Sequence, residues 1–391
     1  MKKILGLLLA LCLIVGCTSA FAAGIPVEQV KIGYITIGDE NEGYSANHLN
    51  GLKEAQKALE ISDDQVLCKY NVPETEAAYE AAIDLAEQGC NIIFATSFGH
   101  ESYLFQAAEE YPNIQFCHAT GTAAMSSPLN NVHNYFYAVY ESRYVSGVVA
   151  GMKLAQMIED GTITADVAKI GYVGAFPFAE VISGFTSFFL GARSQCPSVT
   201  MEVRYTNSWA DMALEKETAE ALIADGCVLI SQHADTTGAP SACEAAGVPC
   251  VGYNISMLPV APNTALTSAA GDWGAYVTYA VKCLIDGEEI DRDWCKGYAE
   301  GAVYTTELND SIVAPGTAEK VAELEAGFKA GTVKVFDTSA FTVNGETLTS
   351  YTTAYGLDGI EMVSDGEFHE SSVRSAPYFD ILIDGITAVV E

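Results

Sequence analysis

From Val30 onward the chain repeats one beat: a short β-branched run, a turn carrying glycine or polar residues, then a segment with apolar residues at helical spacing. That alternation predicts βαβ units and parallel sheets, and so an α/β fold. The strands expected are VKIGYITI (30–37), QVLCKYNV (65–72), NIIFAT (91–96), IQFCHAT (114–120) and NYFYAVY (134–140). Helical segments such as GLKEAQKALE and EAAYEAAIDLAEQG fall between them, the second stopped by Gly89. After a long helix around Tyr144 to Glu159 the series restarts with KIGYVGAF (169–176), VTMEVRYT (199–206), CVLISQ (227–232) and VPCVGYN (248–254). Nine or more strands in one twisted sheet would be unusual, so two doubly wound parallel-sheet lobes are expected, with a hinge of several strands and a cleft between them.

The tail interleaves. ALTSAA, a helix near Trp273 to Ile285, the run GYAEGAVYTTELN, a helix near Glu319 to Lys329 and a VKVFD strand read as a return to one lobe and then to the other. The expected division is 24–141 with about 260–308 in an N-terminal lobe, and 142–259 with about 309–391 in a C-terminal lobe. A length of 391 residues, 49% hydrophobic and 18% charged, suits two cored domains.

The opening MKKILGLLLALCLIVGC has a basic start and an apolar run too short to span a membrane, the pattern of a secretion signal. Ile14-Val15-Gly16-Cys17 fits a lipobox, whereas Ala20-Phe21-Ala22 fits the ordinary small-x-small cleavage site. The lipobox is preferred, with residues 1–23 as signal and tether, Cys17 lipidated, and the mature protein lipid-anchored on the outer side of the cell membrane.

The formal net charge is −32, or −34 once Lys2 and Lys3 leave with the signal, so nucleic acid and anionic membrane surfaces would be repelled. Of 11 cysteines, nine remain after Cys12 and Cys17 are set aside. Cys68, Cys117, Cys227 and Cys250 lie in apolar runs and read as small core hydrophobes. There is no CxxC pair to suggest a zinc or redox centre, and six scattered histidines give no metal set beyond the pair His233-x-Asp235.

In open parallel sheets ligands bind beyond the carboxyl ends of the strands. The loops there are GDENEGYSANH, SFGHES, FPFAEV, NSWADM, QHADTTG and YNISM, rich in aromatic and amide side chains and poor in cations. Several of them belong to a longer ordered series: GYSANHLNG, ATSFGHES, HATG, YESRYVSGVVAG, IGYVGAFPFAEVISGF, LGARS, NSWAD, QHAD and VGYN. Running from about Val30 to Trp273, this series resembles the motifs of the basic membrane protein family, substrate-binding lipoproteins of ABC importers. The segment after about Glu346 has no place in it.

The resemblance implies a type I periplasmic-binding-protein fold and capture of a purine base or purine nucleoside, handed to permease subunits by a monomer without a cofactor. The Gly-Trp of base-binding members falls on Gly43-Tyr44, making Tyr44 an aromatic lid, and the following His falls on His48. Leu49 stands where relatives carry an Asp, which leaves a carboxylate contact from that loop unsupported. The FPxxEVI motif falls on Phe176 to Ile182, NSW on Asn207-Ser208-Trp209 and QHxD on Gln232 to Asp235. The lysine and aspartate that hold ribose in nucleoside-binding members have no assignable position, which favours a free base.

A flat neutral heterocycle needs apolar faces and a few fixed polar groups at its edge. Tyr44, Phe98, Phe176, Phe178, Trp209, Tyr253 and Trp273 can supply faces, and Asn47, Glu180, Gln232, Asp235 and Asn254 the edge. Blander roles compete: Phe176 and Tyr253 as core, Glu180 as a helix-start carboxylate, Asp235 as a helix cap, His233 as a loop brace. Two other functions remain open at this level. A sugar or signalling-molecule receptor on the same fold would want more Asp, Asn and Arg pairs than these loops show. A hydrolase would use Ser97 in ATSFG, a near miss for a nucleophile elbow, with Asp235 or Asp272 and His369.

Overall fold

The computed structural model describes residues 24–353 and 359–389, so the signal segment with Cys17 lies outside the described residues. Among these no helix is long and apolar enough to cross a membrane. The chain opens with β1 (Ile32–Ile35), α1 (Gly43–Leu59), β2 (Val66–Lys69), α2 (Glu76–Glu87), β3 (Ile92–Ala95), α3 (Glu101–Glu110), β4 (Gln115–Ala119) and β5 (Val132–Tyr137). Helix α4 (Val139–Glu159) then carries it into a second βα series: β6 (Lys169–Gly174), α5 (Ala179–Gln195), β7 (Thr200–Tyr205), α6 (Met212–Ala224), β8 (Leu229–His233), α7 (Gly238–Ala246), β9 (Cys250–Tyr253) and β10 (Ala265–Gly271). Helix α8 (Trp273–Asp286) and β11 (Asp293–Lys296) return to the first lobe, and β12 (Val303–Thr305) and α9 (Thr317–Lys329) to the second.

Two sheets form, as the strand count demands. The first runs β11-β5-β4-β3-β1-β2, all parallel. The second runs β12-β10-β9-β8-β6-β7, parallel apart from antiparallel β12. Every residue of β1, β3, β5, β8 and β9 is buried, because helices cover both faces of each sheet.

The lobe boundaries differ from the sequence reading. Residues 265–271 and 303–305 pair into the second sheet, β10 alongside β9 and β12 back against β10, so only α8 and β11 of the 260–308 stretch join the first lobe. The VKVFD run is not a strand. Its Asp337 makes a single bridge to Glu367, while Phe336 leaves the extended path to stack on Phe379 at 4.6 Å. The long helix begins at Val139, five residues before its expected start.

The tail adds a hairpin, β13 (Val363–Ser364) and β14 (Glu367–Phe368), and ends in β15 (Ile386–Val389), which pairs parallel with β7 at the sheet edge. It also touches both lobes. The Ser183 hydroxyl on α5 donates to Glu370 at 2.8 Å, and the Ser375 N–H donates to Asp293 on β11 at 2.6 Å.

Within the second lobe α4 and α5 approach backbone to backbone. A methyl group added at Gly147 would overlap the Phe188 carbonyl, one at Gly151 the Ala192 carbonyl, and one at Gly191 the Tyr144 carbonyl. All three glycines have ordinary helical φ, so their missing side chains are the reason the helices meet this closely. Gly147→Ala is accordingly expected to lower the unfolding free energy by about 1–3 kcal/mol through overpacking, read from urea denaturation followed by circular dichroism.

Candidate functional site

The carboxyl ends of the strands in both sheets face one cleft. A cavity there is lined by Ile37, Tyr44, Ser97, Phe98 and Thr120 from the first lobe and by Glu180, Trp209, His233, Asp235 and Tyr253 from the second. Ile37, Ser97 and Thr120 sit just past β1, β3 and β4, while His233 and Tyr253 are the last residues of β8 and β9. Helix α1 starts at the cleft because Glu42 caps it, its carboxylate accepting from the Tyr44 and Ser45 N–H groups at 2.5 and 2.8 Å. Tyr44 is held in turn by its hydroxyl, which donates to the Thr96 carbonyl at 2.6 Å.

The lobes touch across this cleft. The Gly43 N–H donates to the Asp235 carbonyl at 3.1 Å, an approach that a Cβ at residue 43, only 2.8 Å from that oxygen, would crowd out. At the rim Phe98 and Phe178 meet with ring centroids 5.6 Å apart, both still about 40% exposed (42% and 41%). The enclosed free space is about 20 Å³, room for about one water molecule. A flat heterocycle therefore enters only when the lobes part.

Of the aromatic side chains expected at the site, Tyr44, Phe98, Trp209 and Tyr253 line the cavity. Phe176 and Phe178 form a stacked pair (5.1 Å, 13°) on which Trp209 rests edge-on, so they back the wall and the rim. Trp273 lies elsewhere. It is buried in the first lobe, stacked on His48 at 3.9 Å and packed against Tyr135 and Tyr137, and the Tyr34 hydroxyl is 3.0 Å from His48 Nδ1. His48 and Trp273 are thus core partners behind Tyr44, away from the cavity.

The expected edge groups divide the same way. Glu180 and Asp235 line the cavity. Gln232 is occupied within its own loop, its amide donating to the Ala234 and Thr236 carbonyls at 2.7 and 2.9 Å. Asn254, in the left-handed conformation at φ 66°, donates to Asp235 Oδ1 at 2.8 Å. Asn47 donates to the Gly271 carbonyl at 3.0 Å. Asn47 and Asn254 border a separate, wider groove of about 680 Å³, together with Lys53, Glu54, Asp272 and Glu307.

Two cavity residues, Ile37 and Thr120, fall outside the sequence reading, while His233 enters it as equally a loop brace or a ligand contact and Ser97 only as a nucleophile. The rule that sites lie at strand ends points to all four positions. Thr120 carries a further mark: its φ of 66° is rare for a β-branched residue, and its buried hydroxyl has no partner among the described residues. Arg143 on α4 was also missed. It is fully buried behind the cavity wall, with its guanidinium carbon 3.7 Å from the centre of the Tyr253 ring and Nη1 donating to the Gln232 carbonyl at 2.7 Å.

Burial governs the charge state of the site. Asp235 is pushed well above the usual carboxylate range, first by burial and then by Glu42, Glu215 and Glu180, against the opposing bond from Asn254. Both causes favour the neutral acid, the form that can donate as well as accept. Burial also raises Glu180 to about 7, with Arg143 opposing. Burial and Arg143 together hold His233 far below its ordinary value, so the ring is neutral. The nucleophile arrangement is not assembled: the Ser97 hydroxyl donates to Glu74 at 2.6 Å, and His369 lies in the tail against Ser364.

The same cleft architecture recurs among known proteins. A purine-binding protein of Brucella abortus is 33% identical over 79% of this chain and 83% of its own. A Haloferax volcanii protein named as an ABC transporter glucose-binding protein is 32% identical over 68% of this chain and 64% of its own. Among solved structures, an ABC solute-binding protein from Aeropyrum pernix superposes with a TM-score of 0.66 at 18% identity, covering 78% of this chain and 93% of the other. That last likeness concerns the fold, the two-lobed type I periplasmic-binding-protein arrangement with mainly parallel sheets.

The positions of the tryptophans make a test. Trp273→Ala, removing a buried ring, should lower the unfolding free energy by about 3–5 kcal/mol, whereas Trp209→Ala at the cavity wall should cost clearly less, as denaturant titration of each variant would report. A model of the PnrA-like ABC transporter substrate-binding proteins matches residues 35–335, and this chain belongs to that family.

Proposed function

We propose that this chain captures a purine base between its lobes and delivers it to the permease subunits of an ABC importer, acting as a monomer tethered by lipid at Cys17 outside the cell membrane. The observation that carries the reading is the convergence of aromatic faces (Tyr44, Trp209, Tyr253) with two carboxyl groups (Glu180, Asp235) in one cavity closed by both lobes. A planar ring would lie against the aromatic faces, each pair adding about 0.5–1.5 kcal/mol beyond burial. Its edge would meet Asp235, which can donate and accept, and Glu180. Three or four such bonds at about 0.5–1.5 kcal/mol each bring the total to the micromolar range. The relationship to the Brucella protein, named for purine binding, supports the same ligand class.

Family membership supports binding as the whole task of this chain, energy coupling being left to partner subunits. A glucose-type ligand is the second reading, favoured by the name of the Haloferax relative. A sugar presents hydroxyl groups around its whole rim and would want a fan of amides, yet Asn47, Gln232 and Asn254 are engaged with backbone or with Asp235.

A thermal-shift panel of adenine, guanine, hypoxanthine, their ribosides, pyrimidines and glucose decides between these. A concentration-dependent rise in midpoint with one or two purine bases is expected. A rise with glucose alone would overturn the reading. Tyr44→Ala and Trp209→Ala should each weaken the binding found by at least tenfold in calorimetric titration.

A further inference from the structure

We infer that Arg143 is the positioning residue that biases Glu180 at the cleft wall toward its charged form, making that wall an acceptor of ligand N–H groups. For the identity of the ligand this rests on the purine reading; the relation between the two side chains does not.

A buried arginine with a purely structural task uses most of its five donors. Arg143 uses one. Nη1 reaches the Gln232 carbonyl, while Nε and Nη2 have no partner among the described residues, and the guanidinium carbon sits 3.7 Å from the centre of the Tyr253 ring. An uncompensated buried cation is strongly destabilising, so a counter-charge is required nearby. The α4–α5 packing places one there: Arg143 Nε lies 3.7 Å from where a side chain at Gly184 would begin, and Gly184 stands one helical turn beyond Glu180 on the same face of α5.

His233 packs against the same stretch of α5. Its Nε2 is 3.5 Å from Glu180 Oε1, its ring is 4.6 Å from that of Tyr253, and Nδ1 packs against the bare Cα of Gly184, where a side chain would overlap it. The groups facing Glu180 are Arg143 on α4, His233 at the end of β8, Tyr253 at the end of β9, Tyr137 on β5, Tyr44 on α1 and Asp235 beyond β8. The phenols are neutral, burial keeps His233 neutral, and Asp235 is held protonated. Arg143 is the one charged group among them at neutral pH. Without its field, burial would leave Glu180 a protonated acid that offers the ligand a donor in place of an acceptor.

The test is ligand-free first. In protein carrying ¹³C at the glutamate carboxyl carbons, the Glu180 resonance is the one lost in Glu180→Gln. Its titration midpoint should lie near 7 in the wild type and at least one pH unit higher, a tenfold change in proton affinity, in Arg143→Met. An unmoved midpoint overturns the inference.

Should Arg143→Met fail to fold alone, a double-mutant cycle replaces it. Arg143→Met should be tolerated better in the Glu180→Gln background than in the wild type, and equal cost in both backgrounds overturns the inference. Calorimetry with adenine from pH 5.5 to 8.5 then reads the consequence. Affinity should rise tenfold per pH unit up to the Glu180 midpoint and level off above it, and should be flat in Glu180→Gln. Absence of purine binding at every pH would sink the purine reading while the carboxyl midpoints still decide the role of Arg143.

Discussion

The close packing of α4 on α5 is the constraint on which the cleft depends. Helix α4 carries the chain out of the first lobe, and α5 opens with a residue of the ligand cavity, so the distance between the two helices sets how the second lobe meets the hinge. Three glycines make that distance as short as backbones allow. A chain of contacts then crosses the seam, from Arg143 over the Tyr253 ring, through Tyr253 against His233, to His233 beside Glu180. A larger residue at the crossing would push α5 outward and open all of those contacts together.

Legibility from sequence followed the range of the interactions concerned. The βαβ beat, the two sheets and the use of strand-end loops are local or nearly local, and they could be read directly. The assignment of 265–271 and 303–305 to the second sheet could not, because it is decided by pairing with β9, a partner that local patterning does not name. Tyr44 was legible as a cavity residue through its place at a helix start beyond β1. His48, one helical turn on, shares the same face of α1, yet the cavity reaches only the first turn and Trp273 occupies the space behind it. The amides failed for a different reason. Gln232, near the end of β8, donates to carbonyl groups of the loop that follows it, and Asn254 donates to the Asp235 carboxyl group. Arg143 in a helical segment reads as a surface cation, and only the glycine-lined crossing places it inside.

The electrostatic character of the whole chain and of its cleft are opposite in kind. The surface carries a large excess of carboxylates, whereas the carboxyl groups within the cleft are neutralised or poised near neutrality by burial. A neutral planar solute is indifferent to the outer field and meets a wall whose donors and acceptors are set by desolvation. An anionic solute would be opposed at both levels.

The C-terminal segment beyond the family match changes what opening can mean. Glu370 is bonded to Ser183 in the second lobe, and Ser375 to Asp293 in the first, so residues 370–375 form a short, internally bonded link between the lobes. Three backbone crossings join the lobes, and this link is a fourth connection, made through hydrogen bonds to both. A tail outside the residues matched by the family is thus bonded to both jaws, and parting them bears on its hydrogen bonds as well as on the hinge.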